Sequence, residues 1–195
     1  VLRGNLAPGG AIIKQSAADA GLMEHEARAV VFENAQDLAD RIDDPDLDIC
    51  DQDIIVLKNI GPKGGPGMPE AGYIPIPAKL ARAGVKDIVR ISDGRMSGTA
   101  FGTIVLHVTP ESADGGPLAW VQTGDRIRLS VARRELSLLV SEEELAQRKH
   151  QNPVSPRGAA RGYEKLYFDE INQADEGVDF RFLANPDAKG SIPRT

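Results

Sequence analysis

The chain contains a single cysteine, Cys50, among 195 residues. One thiol cannot form an intramolecular disulfide, and it cannot supply a metal site built only from cysteines. A protein without disulfides is typical of a reducing compartment, so we expect a cytoplasmic setting. Apolar runs are also short, and none approaches the roughly 20 residues that a membrane-spanning helix needs. We therefore predict that the protein does not bind a membrane.

An excess of basic residues is also missing. Lys and Arg together number 23 and Asp and Glu 29, which gives a net charge of −6. Proteins that bind nucleic acid neutralise phosphates with clustered Lys and Arg, so an acidic chain argues against that class of partner. The apolar fraction of 41% is enough for a core. Because the chain begins at Val1 without a methionine, we expect it to be a piece of a longer protein.

Short runs rich in Val and Ile, bounded by turn residues, dominate the middle of the chain and predict β-strands. These runs are 27–32, 53–59, 87–92 and 103–109, followed by two strands within 118–131 joined at Thr123-Gly124-Asp125, and a last strand in 135–141. The mixture of many strands with a few short helices predicts an α/β domain on a closed or nearly closed sheet.

Helix signals are fewer. Asn34 is placed to cap a helix over 35–42, and "PAKLARAG" is expected to end its helix at Gly84. Ser141 and Glu144 form a capping box before a further helix.

Composition changes near Gln151, so we expect a domain over 1–150 and a linker, helix and tail over 151–195. The helix lies in "YEKLYFDEINQA", and its helical periodicity places four apolar residues on one face that should dock on the domain. These residues are Tyr163, Leu166, Tyr167 and Ile171.

Four stretches are dense in glycine, proline and polar residues: 4–14, 61–72, 92–102 and 107–117. Loops of this kind, flanked by strands, often supply binding groups on a rigid scaffold. Taken singly, each is a common turn. None has the P-loop spacing, and none makes a G-x-G-x-x-G that opens a helix.

The order of these motifs along the chain is more specific than any one of them alone. "GNLAP", "GPKGGPGMPE", "SDGRMSGTAFG" and "HVTPESADGGPLA", followed by "GDRIRL" and "SEEELAQR", resembles the C-terminal part of the dihydroxy-acid dehydratase and 6-phosphogluconate dehydratase family. The resemblance runs from about Arg3 to Arg148. "RISDGRMSGTAFGTIVLHVTPES" and "RGYEKLYFDEINQADEGVDF" are most similar to the sugar-acid members, which act on pentonates such as arabinonate and xylonate. The resemblance implies a swivelling β/β/α, barrel-like domain with a helical C-terminal tail.

The resemblance also implies a reaction, the loss of water from a 2,3-dihydroxy acid to give a 2-keto acid. Its cofactors would be Mg²⁺ and an iron–sulfur cluster, the latter held by cysteines of an N-terminal domain that this chain lacks. Cys50 lies outside the motifs, and we interpret it as structural or incidental. The expected partners are a sugar-acid substrate, the protein's own N-terminal iron–sulfur domain, and further copies in a homo-oligomer. Without the cluster, this chain alone is predicted to be inactive.

Ser97 in "RMSGTA" matches the family position whose alkoxide takes the C2 proton. The alternative is a serine that satisfies a turn, which is its common role between glycines. Thr99 and Gly98 would then contact the substrate. Glu70 is the predicted magnesium ligand, since a hard cation prefers carboxylate oxygen; the alternative is an exposed glutamate before a helix.

Arg95 and Asn5 are two further candidates for substrate binding. Arg95 could instead pair with Asp93 and orient the loop. Four other residues are interpreted as structural. We expect His107 to be packed or hydrogen-bonded at the end of its strand and Glu111 to brace its own turn. Phe101 and Trp120 are expected in the core.

Two rival functions stay open at this point. One is a fragment of a branched-chain dihydroxy-acid dehydratase, which acts on a smaller and more apolar substrate. The other is a non-catalytic module that uses the same loops to hold a small acid.

Overall fold

The structure, a computed structural model, describes residues 1–70, 74–97 and 101–183. Strands among these residues form a closed barrel in the order β1-β2-β6-β5-β4-β3-β7-β8. They are β1 (Leu2–Gly4), β2 (Ala7–Ile13), β3 (Glu24–Phe32), β4 (Ile54–Leu57), β5 (Val89–Ser92), β6 (Ile104–Thr109), β7 (Arg126–Ser130) and β8 (Glu135–Leu138). The predicted strand-rich, barrel-like α/β fold is confirmed.

Four neighbouring strands of the barrel are parallel, and their carboxyl ends mark the end of the barrel where the candidate site lies. β3, β4, β5 and β6 run in the same direction, so their carboxyl ends meet at one end of the barrel. We call this end the rim; the first residues beyond these strands are Glu33, Lys58, Asp93 and Pro110. β2 and β7 run antiparallel to their neighbours in this block and therefore begin at the rim.

Two apolar layers explain the continuous hydrophobic run of β4. Successive side chains of a strand point to opposite faces, and Ile54 and Val56 lie in the core inside the barrel. Ile55 and Leu57 lie in a second core outside the wall, which also contains Leu38. A strand buried on both faces needs apolar residues at every position. Burial of this kind contributes about 25 cal/mol per Å² of apolar surface.

Four α-helices accompany the barrel in the part of the chain that the structure describes. They are α1 (Ala35–Arg41), α2 (Ala78–Arg82), α3 (Glu142–Gln151) and α4 (Gly162–Glu170). The side chain of Asn34 accepts from the N–H groups of Gln36 and Asp37 at 2.9 and 3.0 Å, which caps α1. Ser141 Oγ accepts from the N–H of Glu144 at 3.1 Å and caps α3. Both predicted helix starts are confirmed. Among the described residues, no helix combines the length and the apolar character needed to cross a membrane.

The prediction of two strands within 118–131 is wrong. Pro117–Trp120 is a 3₁₀ turn, and only β7 is a strand in this range. Proline fixes φ near −65° at the start of that turn, and this local preference outweighs the apolar run that suggested a strand. Conversely, β1 and β2 occupy most of the stretch 4–14 and the residues before it, which the sequence suggested to be a loop.

The C-terminal helix docks with only part of the predicted face, on which Tyr167 is half-buried and its hydroxyl bonds to the main chain of Pro62 and Gly67. Tyr163 is 73% exposed and Leu166 40% exposed, whereas Phe168 is only 9% exposed. Ile171 is buried as expected, just beyond the end of the helix. The apolar periodicity therefore identified the helix and two of its docking residues, Tyr167 and Ile171, but it did not identify Phe168.

Candidate functional site

Asp93 joins three rim loops. It follows β5 directly, and its side chain is completely buried. Its carboxylate accepts hydrogen bonds from the main-chain N–H groups of Ile60 at 3.0 Å, Asn59 at 3.2 Å and Ser112 at 2.8 Å. Burial raises the pKa of Asp93, and these N–H donors partly oppose the rise. Because every donor belongs to a different rim loop from Asp93, this carboxylate fixes the loops after β4 and β6 relative to its own.

Glu111 holds the start of the loop after β4, which we call the Glu70 loop (residues 58–70). Its buried carboxylate accepts from the N–H of Lys63 at 2.8 Å and from that of Gly64 at 2.8 Å. The side-chain amide of Gln173 donates to the same carboxylate at 2.9 Å. Burial raises the pKa of Glu111, with a smaller contribution from the charge of Asp93. We expected Glu111 to brace its own turn; instead it organises a neighbouring loop.

Several loop glycines serve close packing between chain segments. A Cβ at Gly61 would lie 2.6 Å from Glu111 Oε2, and one at Gly64 would lie 2.5 Å from the main chain of Asn59. A Cβ at Gly102 would lie 1.8 Å from the Arg90 guanidinium, and φ is +121° there. At each of these positions another part of the protein approaches the main chain closely.

Arg95 brings the two candidate loops together. It lies on the loop that follows β5, which we call the Ser97 loop (residues 93–97). Its Nε donates to the carbonyl of Met68 at 2.7 Å, and its Nη2 lies 3.6 Å from Glu70 Oε1. The alternative in which Arg95 pairs with Asp93 is not what the structure has, because the buried Asp93 carboxylate accepts from main-chain N–H groups instead. Arg95 and Glu70 are therefore neighbours, as a shared site requires.

Ser97 is half-buried on the same loop, two residues beyond Arg95. The predicted substrate-binding residues Gly98 and Thr99 lie outside the described residues. Phe101, which we expected in the core, is 79% exposed. Trp120 is half-buried and donates from its indole N–H to the carbonyl of Asn152 at 2.9 Å.

Asn5 has a role in the barrel that the sequence did not reveal. Its Nδ2 donates to the carbonyl of Leu138 at 2.8 Å, and the N–H of Leu138 donates to its Oδ1 at 2.7 Å. The side-chain amide therefore imitates a strand pairing between the β1–β2 turn and the end of β8. The turn lies at the rim end of the barrel, and contact between Asn5 and a substrate stays a prediction.

His107 is a rim residue that we had interpreted as structural. It has a left-handed backbone (φ 52°), and its N–H donates to the carbonyl of Gly94 in the Ser97 loop at 3.1 Å. The register of β2 against β6 shifts between Gly10 and Ile12, opposite this stretch. Partial burial lowers the pKa of His107, and the positive charge of Arg95 lowers it further. His107 is thus placed beside the loop that carries Ser97 and Arg95.

The described residues include no group of three or more His, Cys, Asp or Glu side chains arranged to hold a metal ion. Glu70 is about half-exposed, and its 3.6 Å approach to Arg95 is longer than a hydrogen bond. It fits the role of one hard oxygen ligand, to which other groups would have to be added. Cys50 is exposed and is the single cysteine of the chain, so these residues do not fit an iron–sulfur cluster, which needs several thiolates.

A cleft of about 490 Å³ opens beside the Glu70 loop, and its lining includes Arg41, Lys58 and Arg148. Each of these cations already has an acidic partner: Asp37 at 2.8 Å, Glu33 at 2.9 Å and Asp125 at 2.6 Å, respectively. An acid bound there would have to compete with these pairs. The cleft is therefore a weaker candidate for an acid substrate than the surface between Glu70 and Ser97.

Comparison with protein families adds to this geometry. Residues 1–178 match the family model described as dihydroxy-acid/6-phosphogluconate dehydratase C-terminal. The chain belongs to this family. The resemblance inferred from the glycine-rich motifs is confirmed, and the match extends through the C-terminal segment that contacts the rim loops.

Individual relatives of this dehydratase domain include sugar-acid enzymes. The chain is 52% identical to the L-arabonate dehydratase of Azospirillum brasilense over 94% of its length. It is 48% identical to the 6-deoxy-6-sulfo-D-gluconate dehydratase of Pseudomonas putida over 99% of its length. The dihydroxy-acid dehydratase of Arthrobacter sp. (strain FB24) is 39% identical over 91% of the chain. The aligned part is 32%, 33% and 30% of these relatives, so the chain spans about a third of their length.

Proposed function

We propose that this chain is the C-terminal part of a hydro-lyase that converts a 2,3-dihydroxy sugar acid into a 2-keto-3-deoxy acid. The observation that carries the proposal is the contact of Arg95 with the Glu70 loop. This contact places a cation, a carboxylate and a half-buried serine on neighbouring rim loops. The similarity to sugar-acid dehydratases supports the same assignment.

Ser97 is the proposed base for the C2 proton. Ser97 Oγ, as an alkoxide, takes the C2 proton, and the C2–H electron pair forms the C2–C3 double bond. The C3–O bond breaks, its oxygen leaves as hydroxide and takes up a proton to become water, and the resulting enol becomes the 2-keto acid. A neutral serine hydroxyl is a poor base, so positive charge near it must favour the alkoxide. Arg95, two residues away on the same loop, is a cation of this chain suited to that role.

Glu70 is the proposed magnesium ligand of this chain. Its half-exposed carboxylate stands on a loop that Asp93, Glu111 and Arg95 hold at successive points. Magnesium is bound through one or two carboxylates and retains positions for water and substrate oxygens. When bound, the ion would neutralise charge that develops on the substrate carboxylate as the C2 proton leaves. Arg95, Thr99, Gly98 and Asn5 are proposed to orient the substrate.

The proposed enzyme extends beyond this chain. Its iron–sulfur cluster would be bound by an N-terminal domain, since the single exposed cysteine here does not fit that role. We therefore derive no step through the cluster, and the residues of this chain account only for removal of the C2 proton. The barrel would swivel against the N-terminal domain, with the active site between them. We also propose a cytoplasmic location and a homo-oligomeric assembly.

Sugar acids are favoured over branched-chain dihydroxy acids as substrates. The identities of 48–52% to sugar-acid dehydratases exceed the 39% to a dihydroxy-acid dehydratase. The test is a keto-acid assay of the full-length protein with a panel of aldonates and with 2,3-dihydroxy-3-methylbutanoate. We expect turnover of at least one aldonate at a higher kcat/KM than the branched substrate. Binding of aldonates without any keto-acid product would support the non-catalytic module instead.

A further inference from the structure

The C-terminal segment reaches back to the Glu70 loop through Tyr167 of α4. The phenol O–H donates to the carbonyl of Pro62 at 2.8 Å, and the phenol oxygen accepts from the N–H of Gly67 at 2.8 Å. One hydroxyl therefore joins two points of the loop that are five residues apart. A second contact from the same segment is the hydrogen bond from Arg157 to the carbonyl of Gly64 at 2.7 Å.

Two main-chain hydrogen bonds close turns within this stretch of the Glu70 loop, from the N–H of Gly65 to Gly61 at 2.8 Å and from that of Met68 to Gly65 at 2.7 Å, and further support comes from outside it. Prolines at 62, 66 and 69 lack an N–H and cannot donate hydrogen bonds within the loop. Gly67 and Met68 both have left-handed backbones, with φ of +80° and +44°. The left-handed conformation of Met68 is unfavourable, because Met68 has a side chain, and it persists only where surrounding contacts fix it. Tyr167 holds one side of this pair, and Arg95 holds the other through the carbonyl of Met68.

Tyr167 is itself firmly placed. Its ring packs edge-to-face against Phe168 at a centroid distance of 5.8 Å and against Phe180 at 6.1 Å. Phe168 is buried, and Ile171 pairs with Phe180 in a β-bridge just beyond the helix. The aromatic cluster thus anchors the ring, while its hydroxyl extends to the loop.

We propose that Tyr167 is a positioning residue for Glu70, acting through the left-handed turn at Gly67 and Met68. This inference rests on the proposed function, since Glu70 is taken there as a magnesium ligand. Glu70 lies two residues beyond Met68, so the turn sets the direction in which the loop presents its carboxylate. The C-terminal helix, remote in sequence from the motif loops, is then part of the active-site framework.

The test uses Tyr167→Phe in the full-length protein, with Tyr163→Phe as the matched control. Tyr167→Phe keeps the ring packing and removes only the hydroxyl, whereas Tyr163 lies on the same helix and is 73% exposed. Hydrogen–deuterium exchange of peptides covering 61–70 reports the loop, and calorimetry reports Mg²⁺ binding directly. For Tyr167→Phe we expect exchange of the Gly67 amide to rise and Mg²⁺ affinity to fall, each by about ten-fold. Its melting temperature should stay close to that of the control.

Unchanged exchange in 61–70 would show that Tyr167 does not fix the loop and would overturn the inference. Faster exchange with unaltered Mg²⁺ affinity would also overturn it, because the loop would then not position a ligand. If the unmodified protein binds Mg²⁺ but forms no keto acid, the proposed reaction fails, while the binding comparison still decides the role of Tyr167. If it binds no Mg²⁺, the role of Glu70 and this inference fail together.

Discussion

Replacement of Asp93 by asparagine should lower the stability of the folded chain, because its carboxylate joins three rim loops. In Asp93→Asn one carboxylate oxygen becomes an NH₂ group, while the N–H groups of Asn59, Ile60 and Ser112 all still point at this side chain. At least one of them must then face a donor in a fully buried position. An unsatisfied buried donor costs about 1–3 kcal/mol. For a chain of this size that corresponds to roughly 3–10 °C in melting temperature.

The pH dependence of this effect has an unusual sign. Burial raises the pKa of Asp93 above its value in the unfolded chain. The folded state therefore binds the proton more tightly. The free energy of unfolding of the wild type should increase as pH falls from above the pKa of Asp93 in the folded state towards its pKa in the unfolded chain. The amide introduced by Asp93→Asn cannot titrate, so the stability difference between wild type and this variant should widen in acid.

Urea denaturation of the 195-residue chain at several pH values measures both quantities. Asp51→Asn serves as the control, since Asp51 is exposed and its replacement should leave stability within about 0.5 kcal/mol. Equal stability of Asp93→Asn and wild type would refute the joining role of the carboxylate. A difference that narrows in acid would show that the N–H donors, rather than burial, set its pKa.

Three further outcomes are expected from the proposed function. Ser97→Ala in the full-length protein should lower kcat by roughly 10²–10⁴-fold, the usual worth of a general base, with little change in melting temperature; a turn serine predicts lost stability and retained kcat. Glu70→Gln should weaken Mg²⁺ binding while leaving the fold intact, because the amide keeps the shape but loses the charge; an unchanged Mg²⁺ titration would remove Glu70 from the site. The 195-residue chain supplied with iron, sulfide and magnesium should form no keto acid above background, and measurable turnover would contradict a site divided between two domains.

The sequence predicted strands and helix starts correctly where the local pattern agrees with the burial in the structure. The run Ile54–Leu57 is apolar because both of its faces are buried, and the caps at Asn34 and Ser141 depend only on residues within one turn. β1 and β2 were missed because glycine, alanine and proline dilute their strand signal. Phe168 replaced Tyr163 and Leu166 as the buried contact because the docking surface belongs to another part of the chain.

Less of the candidate site could be predicted from the sequence. Ser97 and Glu70 could be singled out only because the ordered loops resemble a known family, since a serine or glutamate in a glycine-rich loop has no distinctive spacing of its own. The partners of Asp93, Glu111 and Tyr167 come from loops 19 to 105 residues away in sequence, and no local pattern encodes such contacts. The packing roles of Gly61 and Gly102 could not be predicted for the same reason, because the atoms that approach them belong to residues elsewhere in the sequence.

The most direct test of the account is exchange of the C2 hydrogen of the substrate with solvent deuterium, followed by NMR in the full-length protein. We expect the unmodified enzyme to exchange this hydrogen with the aldonate that it dehydrates. Ser97→Ala, folded and with its cluster intact, should lose exchange and dehydration together. Exchange at the wild-type rate in Ser97→Ala would contradict the account, because another group would then remove the proton and Ser97 would serve only its turn.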